Sequence, residues 1–214
     1  MRKTLLSIAL LIMVGCGDGQ ERLKEKAGIE GRANSEAGIA AEEEHLARKA
    51  MEMEADLAIR QRFYQGVKGS YEGTLETEDG PFYIRLNLVP SLPPYSTPRV
   101  RVLDEITADL NNLYFNIQVV QWNPNNTLSA VGCRVEHVRP DILSGEITIA
   151  SQNCANFYAL RISDPDPTHS SIKSSELASG LRNGTLDAIS SIDGMIQPST
   201  NAKTYRFRAK KVSR

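Results

Sequence analysis

Long apolar runs are scarce in this sequence. The longest, Leu5 to Val14, covers about half of the roughly 20 residues that a membrane-spanning helix needs. Histidine and cysteine number three each, and no Cys-x-x-Cys pair, His-Glu-x-x-His helix, P-loop or Gly-x-Ser-x-Gly elbow occurs. That excludes the compact motifs of metal, phosphate and serine-nucleophile chemistry. A charge excess of one sign is missing too: 25 basic residues face 26 acidic ones, which argues against a nucleic-acid partner.

What is present begins at the N-terminus. Arg2 and Lys3 precede the apolar run, and Gly15 and Cys16 follow it. A basic start, an apolar stretch and a small residue before the cut predict a secretory signal peptide over 1–15. Met13-Val14-Gly15-Cys16 resembles the lipobox of bacterial lipoproteins, with Met13 where that family usually has leucine. The resemblance implies cleavage before Cys16, a diacylglycerol on its thiol and a further acyl chain (palmitate or similar) on its amine. Two or three buried chains, at about 0.8 kcal/mol per CH₂, would hold the protein stably at a membrane. In enterobacterial lipoproteins an Asp directly after the cysteine retains the protein in the inner membrane. Here Gly17 stands there and Asp18 one later, so the resemblance implies the outer membrane. The plainer alternative is a secretion signal with an incidental cysteine.

Cys133 and Cys154 then form an even pair in a chain expected in an oxidising compartment, and a disulfide between them is the expectation. Closing that loop would contribute about 3 kcal/mol. A metal or thiol site is the competing reading, without a histidine cluster behind it.

Composition divides the remainder. Residues 16–38 are polar and glycine-dotted and read as a flexible tether or a fraying helix. Residues 39–65 lack proline, are rich in Ala, Glu, Met, Leu and Arg, and put Leu46, Ala50, Met53, Leu57 and Tyr64 on one face. This is an amphipathic spacer helix, with a coiled-coil segment as the alternative.

From residue 66 the period changes from 3.6 to 2. Phe82, Ile84, Leu86 and Leu88 alternate with polar neighbours, as do Phe115, Ile117 and Val119, and Tyr205, Phe207 and Ala209. One dry and one wet face per strand predicts a mainly β domain, an antiparallel curled sheet or small barrel. About nine strands are expected, near 70–77, 81–89, 99–104, 113–122, 128–138, 144–151, 155–163, 186–196 and 203–212. Residues 90–98 form a proline-rich loop, and 164–184 a long connection with a short helix over 174–181. Three stretches echo one another around Gly73, Gly145 and Gly194, each with an arginine on its second strand: Arg85, Arg161, and Arg206 or Arg208.

The length, strand count and curl of residues 67–214 resemble lipocalin-like barrels. Gly69-Ser70-Tyr71 is similar to that family's Gly-x-Trp, with Tyr for Trp. The resemblance implies that Arg206 or Arg208 packs over this aromatic ring.

Chemistry is harder to find. His45 reads as a surface residue. His137 has Glu136 beside it, but adjacent strand residues face opposite ways. His169 lies among Asp164, Asp166, Thr168, Ser170 and Ser171 in a loop without an EF-hand's glycine and terminal Glu. No catalytic residue, cofactor or metal is assigned. Arg206, Arg208 and Lys210 share the wet face of the last strand and continue into Lys211, a candidate basic patch for a partner. The expected protein is a lipid-anchored, non-enzymatic envelope lipoprotein that binds an apolar ligand or a protein partner. An envelope hydrolase using the 164–184 loop and a mechanical spacer are the alternatives.

Overall fold

Side-chain alternation after Gly66 becomes eight strands, all antiparallel. The computed structural model describes residues 17–78, 80–92, 102–123, 126–149, 157–163, 172–197 and 203–212. The strands are β1 (Gly69–Thr77), β2 (Gly80–Ser91), β3 (Tyr114–Asn123), β4 (Asn126–Val138), β5 (Glu146–Ile149), β6 (Phe157–Ser163), β7 (Ser191–Gln197) and β8 (Tyr205–Lys211). Helices α1 (Gly17–Val67), α2 (Leu103–Asn111) and α3 (Ser174–Asn183) accompany them.

The sheet runs β4-β3-β2-β1-β8-β7-β6-β5. Two four-strand meanders are thus joined where β8 pairs with β1, with Gly73 opposite Ala209 and Thr74 opposite Arg208. The two ends of this order, β4 and β5, lie near each other without forming a ladder among the described residues, so the barrel-like sheet is nearly closed. Its edge β4 carries a register shift between Phe115 and Ile117, where His137 takes φ 61°. Such bulges and the charged Arg134 and Glu136 discourage edge-to-edge pairing.

Connectivity sorts the loops. The links from α1 to β1, β2 to β3, β4 to β5 and β6 to β7 fall at one end of the sheet, so α2, α3 and the last turns of α1 gather there. The expected strand near 99–104 is replaced, where described, by the start of α2. Leu103, Ile106 and Leu110 recur at helical spacing, and Asp104 and Glu105 suit the positive N-terminus of a helix. Ile106 is fully buried. The described residues therefore hold eight strands where about nine were expected. The short helix of the 164–184 connection is α3. It ends at Gly184 with φ 76°, a left-handed cap that glycine adopts at no steric cost, and the Thr185 and Leu186 N–H groups return to the Gly180 carbonyl.

The chain forms two units, Met1–Lys49 and Ala50–Arg214. In the first, residues 17–38 belong to α1. The glycines there are separated by Ala, Glu, Lys and Arg, all strong helix formers, which offset the glycine cost of about 1 kcal/mol each. In the second unit the last turns of α1 are amphipathic. Leu57, Phe63, Tyr64 and Val67 are buried, with Ala50 and Met53 packed beside them. Arg60, in the stripe's remaining slot, is turned to Asp56 at 2.8 Å.

The sheet's inner face forms the core. Ile84, Leu86, Leu88, Phe115, Ile117, Ile147, Ile149, Leu160, Ile162 and Ile192 are all at or below 1 % exposure. Each such residue contributes about 1.5–3 kcal/mol by leaving water. At the helical end Tyr64 stacks on Phe115 with ring centroids 4.6 Å apart, and its hydroxyl donates to the Leu113 carbonyl at 3.2 Å. Burial pushes the Tyr64 pKa up to about 12, so the hydroxyl remains a donor. Tyr71 Oη donates to the Val67 carbonyl at 2.6 Å, joining β1 to α1. Towards the other end Gln121 Nε2 on β3 donates to Tyr158 Oη on β6 at 2.9 Å, between strands not adjacent in the sheet.

Candidate functional site

Pleating sends every second residue outward, and the antiparallel registers align these into rows across the strands. One row runs Trp122, Tyr83, Thr74, Arg208, Asp193, Arg161 and Glu146, one residue each from β3, β2, β1, β8, β7, β6 and β5. The next runs Arg206, Met195, Ala159 and Thr148. Between them lies an outer groove of about 680 Å³, lined by the Thr74-to-Glu146 part of the first row and all of the second. Small side chains make it: Ala159 and the two threonines leave low ground between long arginines. The volume falls within the roughly 300–1,000 Å³ of small-ligand sites.

The charges alternate along the first row. Arg208 Nε and one Nη donate to the two Asp193 carboxylate oxygens at 2.6 and 2.9 Å. Arg161 Nε donates to Glu146 Oε1 at 2.8 Å, and a second guanidinium nitrogen donates to the same oxygen. In the first echo segment, around Gly73, Arg85 Nε reaches Glu72 Oε1 at 2.7 Å, and its guanidinium carbon lies 5.6 Å from the Trp122 ring centroid. The sequence echo thus has a structural content. Each of the three hairpins carries an acid beside its glycine and pairs it, directly across the ladder, with an arginine on the second strand. In β7–β8 that arginine is Arg208. Opposite charges facing one another across an antiparallel pair contribute roughly 0.2–1 kcal/mol each.

The expected basic patch is divided by this arrangement. Arg206, Arg208 and Lys210 project outward, but Arg208 is neutralised by Asp193. Lys211 projects to the inner face: its Nζ stands 5.7 Å from the centroid of the buried Tyr71 ring. This corrects the expectation that Arg206 or Arg208 covers that ring. Both arginines are an odd number of residues from Lys211 and therefore face the other way. Burial, and then the neighbouring Lys68 ammonium, lower the Lys211 pKa. Arg206 forms no hydrogen bond or ion pair with any described residue. The groove thus holds three guanidinium groups against two carboxylates, both carboxylates already engaged.

Nothing matches. No protein-family model, curated protein or solved structure corresponds to this chain.

Cys16, Cys154, Asp164, Asp166 and His169 lie outside the described residues. Cys133 is half-buried on β4 and is not a free thiol. His137 is exposed, with its ring 4.2 Å from that of Tyr114, while Glu136 turns to Arg134 at 3.5 Å. Asp141 is occupied within its own turn. Its carboxylate accepts from the Ser144 hydroxyl at 2.7 Å and the Leu143 N–H at 2.9 Å, and these bonds hold its pKa below the usual value. These three acid and base groups do not converge. Among the described residues no group of three or more His, Cys, Asp or Glu is placed to hold a metal, and no helix is long and apolar enough to cross a membrane.

The groove itself escaped the sequence reading. Its charged residues were visible individually, but the only signal joining them was the acid that recurs beside each glycine of the echo: Glu72, Glu146 and Asp193.

Proposed function

We propose that this chain is a lipid-anchored lipoprotein of the cell envelope, outer membrane by its Gly17, whose β domain is a non-enzymatic interaction module. The anchor is Cys16, argued from the lipobox resemblance. Cys133 and Cys154 form a disulfide in this reading, tying edge strand β4 to the segment that follows β5. The bond would thereby tie the two edges of the nearly closed sheet, between which the described residues form no ladder.

The observation that carries the interaction reading is the outer groove on β5, β6, β7, β8 and β1. The inner face is occupied by the protein's own side chains, and the Gln121–Tyr158 hydrogen bond spans it. That favours a protein partner on the outer face over an apolar molecule inside. The likeness to lipocalin-like barrels belongs to the proposal as topology: eight antiparallel strands with the helices at one end.

Two measurements test it. Cys16→Ala moves the protein from the membrane to the soluble fraction, and continued membrane retention would sink the anchor. A photo-crosslinking side chain at Thr148, within the groove, captures a discrete protein adduct in intact cells, whereas one at the exposed Gln118 on β3 does not. Equal capture at both positions, or none at Thr148, removes the groove as the interface.

A further inference from the structure

We infer that the outer groove receives an extended peptide segment carrying a free carboxylate, which docks on Arg206. This rests on the reading of the groove as a protein interface and names the chemistry it recognises.

Charge supplies the first argument. Arg208 and Arg161 are held by Asp193 and Glu146, but Arg206 has no described partner. The surplus in the groove is one positive charge on a planar fork of donors, which matches a carboxylate in a bidentate pair. Its neighbours across the ladder are Met195, 39 % exposed, and then Ala159 and Thr148. A carboxylate on Arg206 therefore leaves the adjoining part of the ligand over one thioether, one methyl and one hydroxyl.

Length and polarity supply the second. From β1 to β5 by way of β8, β7 and β6 are four strand spacings of about 4.8 Å, roughly 19 Å, which an extended peptide of about six residues spans. The rim across that distance offers hydroxyls at Thr74 and Thr148 and carboxylates at Asp193 and Glu146. Peptide N–H and C=O groups can use both donors and acceptors. An acyl chain would require a continuous apolar lining, and here that lining amounts to Met195, Ala159 and the backbone-level flanks of Leu160, Gly194 and Phe207.

The shared chemistry is a carboxylate on a peptide, supplied by a C-terminus or by an acidic side chain. Isothermal titration of the full chain in detergent distinguishes them with three acetylated six-residue probes of alanine, threonine and leucine. One ends in a free carboxylate, one in an amide, and one in an amide with a glutamate inside. Binding of the free acid at least tenfold tighter than of the plain amide, with Arg206→Gln erasing the difference, supports the inference and assigns the C-terminus. The same pattern for the glutamate probe supports it and assigns a side chain. Arg206→Lys should recover part of the preference, because charge remains and the fork is lost. Arg206 is exposed, so an unchanged unfolding midpoint in both variants separates lost binding from lost folding.

Equal binding of acid and amide, or a preference indifferent to Arg206→Gln, overturns the carboxylate. No binding of any probe also overturns it, while a surviving Thr148 adduct would leave the interface reading intact. Arg206-dependent binding of decanoate without any peptide would overturn it in favour of an acyl anion.

Discussion

Replacing Gly194 with alanine should destabilise the β domain through one identifiable contact. Gly194 on β7 faces inward opposite Phe207 on β8, whose ring is 5 % exposed and lies over the glycine. A Cβ built there would be 2.1 Å from Phe207 Cζ, 2.4 Å from Cε1 and 2.7 Å from Cε2. Carbon atoms prefer about 3.5–4.0 Å, so either the ring or the strand must move by more than about 1 Å. Leu75, on the other side of β8, and Leu160, beyond Gly194, flank the ring's row and restrict its escape. Overpacking of this kind costs about 1–3 kcal/mol. At roughly 2–4 °C per kcal/mol for a domain of this size, the melting temperature falls by roughly 2–12 °C.

A double-mutant cycle tests the assigned cause. Phe207→Ala alone should cost about 3–5 kcal/mol by leaving a cavity. Gly194→Ala added to it should cost nothing further, because the methyl enters the vacated space. The coupling is then about 1–3 kcal/mol, read from urea midpoints at constant m-value. Additivity within about 0.5 kcal/mol, or a neutral Gly194→Ala, would refute the reasoning. The same strands would then be shown to close without the ring lying over the glycine.

Tyr64→Phe keeps the stack on Phe115 but removes the donor to the Leu113 carbonyl, so urea unfolding should register a loss of about 1 kcal/mol. Lys211→Met should raise stability at neutral pH, since the wild-type ammonium is partly buried near Lys68. The sign follows from linkage. With the folded pKa below the unfolded 10.5, the unfolded state binds more protons between those values, so wild-type stability rises with pH there, and the variant's unfolding midpoint should lose that rise. Asp141→Asn acts at the acid end. Its lowered pKa supplies stability above about 3.8 that disappears as pH falls through the folded value, so urea midpoints of variant and wild type should converge once the pH lies below that value. Asp193→Asn releases Arg208 at an exposed site and should cost no more than about 1 kcal/mol in urea unfolding.

Several elements were legible because their signal is local. Ile84, Leu86 and Leu88, and Phe115, Ile117 and Val119, alternate in sequence and are buried in β2 and β3 as a period of two requires. The apolar stripe through Ala50, Met53, Leu57 and Tyr64 packs on the domain. At the end of the strand expected over 99–104, Leu103 and Asp104 instead begin α2, and the docking of Ile106 in the core selects that helix. Over residues 17–38 the sequence leaves a flexible tether and a fraying helix both open. Their glycines lower the local helix propensity, but an uninterrupted set of helix-forming neighbours carries α1 through them.

The sequence by itself determined which side chains of strands such as β2, β3 and β8 face inward, since that follows from side-chain chemistry a few residues apart. The choice of neighbour lay beyond it. Periodicity tells β8 which face to bury, but not that Glu72 will sit opposite Lys210 or Thr74 opposite Arg208. That pairing joins the two meanders, aligns residues of five strands into one groove, turns Lys211 inward over Tyr71 and leaves Arg206 outside without a partner among the described residues. Only tertiary structure decided it, because contacts between distant segments depend on how the whole sheet curls around its core.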